Sequence, residues 1–197
     1  VDRRIVLITG SPGAGKSTLA LPLAAALGFP LLSKDHIKET LHDSLDAPAG
    51  DLASSRRLGA AAMRLIWALA ERCPQVVLEA NFMPRHPDTR PRLDALGARV
   101  VEVYCRCPPD EAARRYAERA AGVHPVHVVH ELSLEVLAQY DRPVGYGPVI
   151  EVDTTAPTDP PGIAAQVRQA FDRDSGQEPV DRTAPRPRRG WTRRSSS

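Results

Sequence analysis

A chain of 197 residues, 42% of them hydrophobic, has enough apolar surface for one domain with a sizeable core, which excludes a fibrous or wholly disordered protein. Its net charge of +2 is too small to argue for a nucleic-acid or an acidic partner on electrostatics alone. No run approaches the roughly 20 apolar residues that cross a bilayer, and Val1-Asp2-Arg3-Arg4 leads into a short apolar segment without a cleavage-site pattern, so the expected location is cytoplasmic.

In chain order, residues 3–9 (RRIVLIT) predict a buried parallel strand, followed by a Gly-rich loop and a helix to about Leu27. Residues 29–33 predict a second strand, after which Asp35 can cap a helix to about Leu45. Beyond the break at Ala47-Pro48-Ala49-Gly50, Leu58, Ala62, Leu65, Ile66 and Leu69 recur at helical spacing in a long amphipathic helix over 51–72. Pro74 ends that helix. Residues 75–80 (QVVLEA) predict the third strand, and a Pro-rich link over 84–91 leads to a short helix closing at Gly97. Residues 98–105 are the fourth strand, Pro108-Pro109 open a charged helix to about Ala121, and a further helix is expected over 131–140. A fifth strand over 149–152 and a helix over 161–171 complete the series.

Strands alternating with helices in this way predict an α/β domain over residues 1–171, with a five-stranded parallel sheet and helices on both faces. Residues 172–197 differ in kind. They hold seven Arg against four acids, three Pro and a terminal Ser195-Ser196-Ser197, with almost nothing apolar to bury, so they read as a disordered tail. That tail is either merely solvated or a contact for a polyanion.

The chemistry begins at Gly10. The pattern G-x-x-x-x-G-K-[ST] is met within Gly10-Ser11-Pro12-Gly13-Ala14-Gly15-Lys16-Ser17-Thr18, between a strand and a helix, which is the context the motif requires. Polyphosphate needs many N–H donors at once. Gly13 and Gly15 let the backbone turn its amides inward, and the following helix presents its positive end to the same anion. Lys16 is assigned to the β- and γ-phosphates and the Ser17 hydroxyl to Mg²⁺, so ATP and Mg²⁺ are the expected cofactors.

Lysine is scarce: of 26 basic residues only Lys16, Lys34 and Lys38 are Lys, one inside the phosphate loop and two flanking Asp35. A flexible ammonium is not freely exchanged for a planar guanidinium where geometry is tight. Asp35, beyond the second strand, reads either as a general base for an acceptor hydroxyl or as a helix N-cap. Lys38, one turn on, reads either as an anion or phosphoryl contact or as a solvated lysine. Glu79 ends the third strand, where an acid holds Mg²⁺ or its water shell, against an ordinary strand-end carboxylate. Asn81 is a weaker substrate-contact candidate. Arg114, Arg115 and Arg119 follow Pro109 on a helix that either forms a lid over the nucleotide or is solvated and paired with its own acids. His124, His127 and His130 are evenly spaced, but no acidic or Cys partner in the sequence completes a metal set. Cys73, Cys105 and Cys107 fit neither a disulfide framework nor a zinc spacing and read as reduced residues near the core. Trp67 is expected in the core.

GSPGAGKST, SKDHIK, VVLEANF, CRCPPDEAARRYAERA and VIEVDTT together resemble the small AAA-type P-loop "predicted kinases" over about residues 4–171. That family is similar to chloramphenicol phosphotransferases and polynucleotide kinase domains, and more distantly to gluconate and shikimate kinases. The resemblance implies a P-loop NTPase fold with a helical lid. It implies triphosphate contacts from Gly13 to Thr18, Asp35 as catalytic base, Arg115 or Arg119 as lid arginines, and Asp153 and Thr154 near the adenine. Lys38 stands where polynucleotide kinases tend to carry Arg, and Glu79 replaces a more common Asp. The expected activity is transfer of the γ-phosphoryl of ATP to a hydroxyl of a small molecule or a nucleic acid end. The alternative is a nucleotide-binding regulatory module with no acceptor.

Overall fold

In the computed structural model, which describes residues 2–174, the most apolar strand, β1 (Arg4–Thr9), occupies the middle of the molecule. The elements that follow are α1 (Lys16–Leu27), β2 (Leu31–Ser33), α2 (Lys34–Ser44), α3 (Leu52–Ala70), β3 (Gln75–Glu79), α4 (Thr89–Leu96), β4 (Arg99–Arg106), α5 (Pro109–Arg119), α6 (Leu134–Leu137), β5 (Val149–Asp153) and α7 (Pro160–Asp174). Every strand pair is parallel, and the order across the sheet is β2-β3-β1-β4-β5.

Strand alternation divides the core in two. Val6 and Ile8 of β1, with Val77, Val101 and Val103, face Leu19 and Leu23 of α1 and Ile163, Val167 and Phe171 of α7. Ile5 and Leu7, with Val76, Leu78 and Val100, face Ile66, Trp67 and Ala70 of α3 and Leu93 and Leu96 of α4. A sheet covered on both faces needs apolar residues on both, which is why these strands read as unbroken apolar runs. Ridges from both helical layers thus lock the carboxyl ends of β1, β2 and β3 in fixed positions, and the loops leaving those ends carry the site.

The predicted elements stand with local corrections. The buried stripe of α3 is Leu58-Ala62-Ile66-Ala70 plus Trp67, whereas Leu65 and Leu69 are about 40% exposed, because a strict four-residue step leaves them off the seam. Trp67 is in the core, edge-on to Phe82. The N-cap of α2 is Ser33, so Asp35 lies within the first helical turn and does not cap it. The expected helix over 131–140 shrinks to α6 and one 3₁₀ turn (Ala138–Tyr140), with Ser133 Oγ accepting from Val136 N at the start. At the far end α7 runs on to Asp174, past the predicted stop at 171. The rest of the predicted disordered tail, with its Arg run and Trp191, lies outside the described residues. All three cysteines are free, with Cys105 buried. Among the described residues no helix is long and apolar enough to cross a membrane.

Candidate active site

The loop from β1 to α1 holds a shape that only glycine allows at two of its positions. Gly10 has φ 131°, and a Cβ there would lie 2.6 Å from the Cys105 carbonyl oxygen. Gly13 has φ 82°, and its Cβ would lie 2.1 Å from the carbonyl oxygen of Ala112 on α5. The loop is therefore clamped between the end of β4 and the first turns of α5. Helix α1 then begins without a side-chain cap, its N-cap being Gly15, so its first-turn N–H groups point into the loop unclaimed by any capping oxygen.

Lys16 is 6% exposed, and its Nζ donates to the carbonyl oxygens of Gly10 (3.0 Å) and Ser11 (2.8 Å). It makes no ion pair among the described residues. Burial pulls its pKa below the ordinary lysine value, against the opposing pull of Glu79 and Asp35. A buried ammonium satisfied only by carbonyls is a strong attractor for an incoming anion.

Glu79, 2% exposed at the end of β3, gathers two hydroxyls: Ser33 Oγ donates to Oε2 at 2.6 Å and Ser17 Oγ to Oε1 at 3.4 Å. Ser33 spends its hydroxyl on Glu79 and leaves α2 without a side-chain cap bond. Two residues further on, Asp35 is half-buried, with Lys34 Nζ at 3.3 Å. Burial alone would push the Asp35 carboxyl up, but Lys34, His127 and Lys16 together outweigh it and hold the pKa below the ordinary value. Lys38 is 6% exposed and donates to Ser55 Oγ of α3 (2.8 Å) and the carbonyl of Val126 (3.3 Å). Burial and then the neighbouring Lys34 lower its pKa.

These groups face one cavity of about 1350 Å³, larger than a typical single-ligand pocket and roomy enough for two substrates. Pro12, Gly13, Gly15, Lys16, Ser17, Asp35, Lys38, Glu79, Asn81 and Arg119 all line it. Every lysine of the chain does so. The remaining sequence candidates lie elsewhere. Arg114 is on the outer face of α5, paired with Glu111 (2.7 Å) and Glu118 (2.6 Å). Arg115 donates to Glu111 and to the Thr154 carbonyl (2.9 Å), and hydrogen bonds from Arg114 and Arg115 hold the Glu111 carboxyl down to about 2. Of the three arginines, only Arg119 reaches the cavity, its guanidinium 5.8 Å from the Tyr116 ring centroid. Asp153 is paired with Arg106 (2.8 Å), and Thr154 approaches Gly15, the Thr154 Cβ lying 3.7 Å from where a Gly15 side chain would begin. Thr154 thus flanks the phosphate loop, and neither residue lines the cavity. Ser11 and Ala14 are buried in the loop itself, and Thr18 is exposed on α1.

Several participants escaped the sequence reading. Lys34 and Arg56 also line the cavity, and the scarcity of lysine was the available signal for the first. Glu102, fully buried on β4, accepts from Thr9 Oγ1 (2.5 Å) and from the backbone N–H groups of Val144 (2.8 Å) and Gly145 (2.7 Å). It ties the segment before β5 to the residue that precedes Gly10, and nothing in a strand-centre Glu announces this. The histidines also gain partners that no spacing rule supplies: His124 Nε2 lies 3.0 Å from Asp43 Oδ1, and His127 Nε2 2.9 Å from Glu39 Oε1, both acids on α2.

A parallel sheet in this order with a glycine-built phosphate loop at the end of β1 defines a kinase-like P-loop domain. Residues 5–143 match the AAA domain family (AAA_33), and the chain belongs to that family. It is 32% identical over 173 residues to a protein of Halobacterium salinarum described as "Putative adenylate kinase", spanning 86% of this chain and 90% of that one. Among solved structures, a "putative kinase" from Chloroflexus aurantiacus is 29% identical with a TM-score of 0.75, covering 86% of this chain and 99% of that one. Shikimate kinase from Acinetobacter baumannii, 19% identical with a TM-score of 0.52 over 90% of this chain and 97% of that one, shares the fold.

Proposed function

We propose that this protein transfers the γ-phosphoryl group of ATP to an acceptor hydroxyl, with Asp35 as the base. The observation that carries this reading is the placement of an ionised carboxylate, Asp35, in the same cavity as the phosphate loop and all three lysines. The first-turn amides of α1 and the backbone of Gly13 to Thr18 would bind the β- and γ-phosphates, and Lys16 would swing from its two carbonyls to the same anion. Asp35 would orient the acceptor O–H and take its proton as the P–O bond forms. Arg119 and Lys38 would neutralise charge spread over the moving phosphoryl group.

Ser17 and Glu79 suit Mg²⁺. Their hydroxyl and carboxylate oxygens already converge to 3.4 Å, they are hard donors, and one or two protein ligands are what this ion usually takes. When bound there, the ion would neutralise phosphate charge and fix the orientation of the γ-phosphate. Thr154 beside Gly15, the adjacent Asp153, and Arg115 on the Thr154 carbonyl are the proposed neighbours of the adenine; Asn81 is a proposed acceptor contact.

A second reading, in which the acceptor is a phosphate, as the name of the Halobacterium salinarum relative suggests, has its own support. Among the described residues no carboxylate forms an ion pair with the buried Lys38, which lines the cavity with Lys34 and Arg56. The test is incubation with Mg²⁺ and γ-labelled ATP against a panel of polyols, hydroxy acids, 5′-hydroxyl oligonucleotides and nucleoside monophosphates. Label in an alkali-stable phosphate monoester is the expected result. Label found only in a nucleoside diphosphate selects the phosphate acceptor, and ATP consumption with no labelled acceptor returns the protein to a regulatory ATPase.

A further inference from the structure

Outside the catalytic groups, the end of α2 and the segment after α5 bring two imidazoles and a carboxylate to one point. Asp43 Oδ1 lies 3.2 Å from His42 Nδ1 and 3.0 Å from His124 Nε2, and three ligand atoms of these residues all lie within 4.8 Å of one another. The His42 and His124 rings stand edge to face, 85° apart, with centroids separated by 5.0 Å. Donors on one tetrahedral zinc ion, with bonds of about 2.0–2.1 Å, stand roughly 3.3 Å apart, and two imidazoles sharing it have centroids roughly 5 Å apart. The two nitrogen–oxygen spacings and the centroid separation are within a few tenths of an ångström of these values, and the two ring nitrogens lie within 4.8 Å of each other.

We propose that His42, Asp43 and His124 form a binding site for a zinc-class divalent transition metal, separate from the Mg²⁺ site at Ser17 and Glu79. Two nitrogens and one carboxylate oxygen make a donor set of intermediate softness, which suits Zn²⁺, Co²⁺ or Ni²⁺ and not Mg²⁺. His42 is 9% exposed and fixed on α2, which orients its ring, while Asp43 is two-thirds exposed and gives the ion an entry path. A fourth position stays open to solvent on the Asp43 side. The site would have a structural consequence as well. His124 belongs to the segment that continues through the buried Val126 and through His127, itself paired with Glu39, to the wall of the cavity. Joining His124 to α2 through a metal would fasten that wall to the helix that carries Asp35 and Lys38.

The test uses the full chain, stripped of metal by chelation, and titrates Co²⁺ and Zn²⁺. Co²⁺ is expected to give the intense visible d–d absorption of a tetrahedral site without the near-ultraviolet thiolate band that cysteine ligation would add. Excess Mg²⁺ should leave it unchanged, and Zn²⁺ should displace it at one equivalent. His124→Ala and the exposed Asp43→Asn are each expected to weaken Zn²⁺ binding by more than about tenfold, while His130→Ala leaves it unchanged. Amide exchange over residues 123–130 should slow when Zn²⁺ is bound to the wild-type protein and not to His124→Ala. Absence of one-equivalent Zn²⁺ binding, displacement by Mg²⁺, a thiolate band, or wild-type affinity in both His124→Ala and Asp43→Asn would each overturn the proposal. None of these readouts depends on finding the phosphoryl acceptor.

Discussion

The two sides of the cavity are built by opposite means. On the proposed phosphate side the backbone amides, set by glycine torsions and by the close approach of Cys105 and Ala112, are joined by few side chains, chiefly Lys16, Ser17 and Glu79. On the side proposed for the acceptor nearly everything is side chain: Asp35 and Lys38 from α2, Arg56 from α3, Arg119 from α5 and histidines from irregular chain all line the cavity. A site made of backbone tolerates little sequence change and serves one ligand. One made of side chains can be re-aimed without touching the fold.

The comparison can be broken experimentally, and the largest effect should come from the acceptor side. Asp35→Asn is expected to lower turnover by about 10²–10⁴-fold with ATP affinity nearly unchanged. Because Asp35 is held below the ordinary value of 3.8, its carboxylate is present above its folded pKa and lost only as pH falls through it. The deficit should therefore be the same at about pH 6 and about pH 8. A deficit that vanished at the higher pH would remove Asp35 from the role of base.

Gly13→Ala should do the reverse, weakening ATP binding by roughly 100-fold in a direct titration, since strain at φ 82° is joined by a clash with Ala112. If ATP bound Gly13→Ala normally, the backbone account of that side would fail. Within α5, Arg119→Ala is expected to lower turnover by about tenfold or more, while Arg114→Ala changes it by less than about twofold, because Arg114 serves only exposed ion pairs. Equal losses would mean that α5 reorients in the reacting complex.

The smallest effect concerns Cys105, whose thiol burial pushes up to about 12. At about pH 8 a thiol reagent should modify it only after unfolding, with Cys73 and Cys107 reacting first. The unfolded thiol ionises near the ordinary 9.0 while the folded one does not. Stability from this group is therefore intact below that pH and declines above it.

The same contrast explains what could be read from the sequence. The succession of strands and helices and the phosphate loop were legible because period, glycine spacing and a strand-loop-helix context are local signals, whereas the order of strands across the sheet was not. That Asp35 and Glu79 face the cavity was legible because strand ends are where such clefts form. Which arginine of α5 faces inward was not, since Arg115 and Arg119 share a helical face and only the pull of Glu111 and the Thr154 carbonyl draws Arg115 aside. Asp43, Glu39 and the buried Glu102 were equally silent, their partners lying 81, 88 and 93 residues away along the chain. The helix expected over 131–140 starts late because Ser133 caps it, and its last turn tightens to 3₁₀.

The concentration of lysines in one cavity has a practical corollary. The chain has only three ε-amines, and all of them line the same cavity. Two of them, Lys16 and Lys38, are held below the ordinary lysine pKa and so lose their proton more readily than a surface lysine. A reagent that acylates amines, indiscriminate on most proteins, becomes here a label for a single place apart from the α-amine. The mass of the modified protein then counts directly how many of those amines a bound ligand covers.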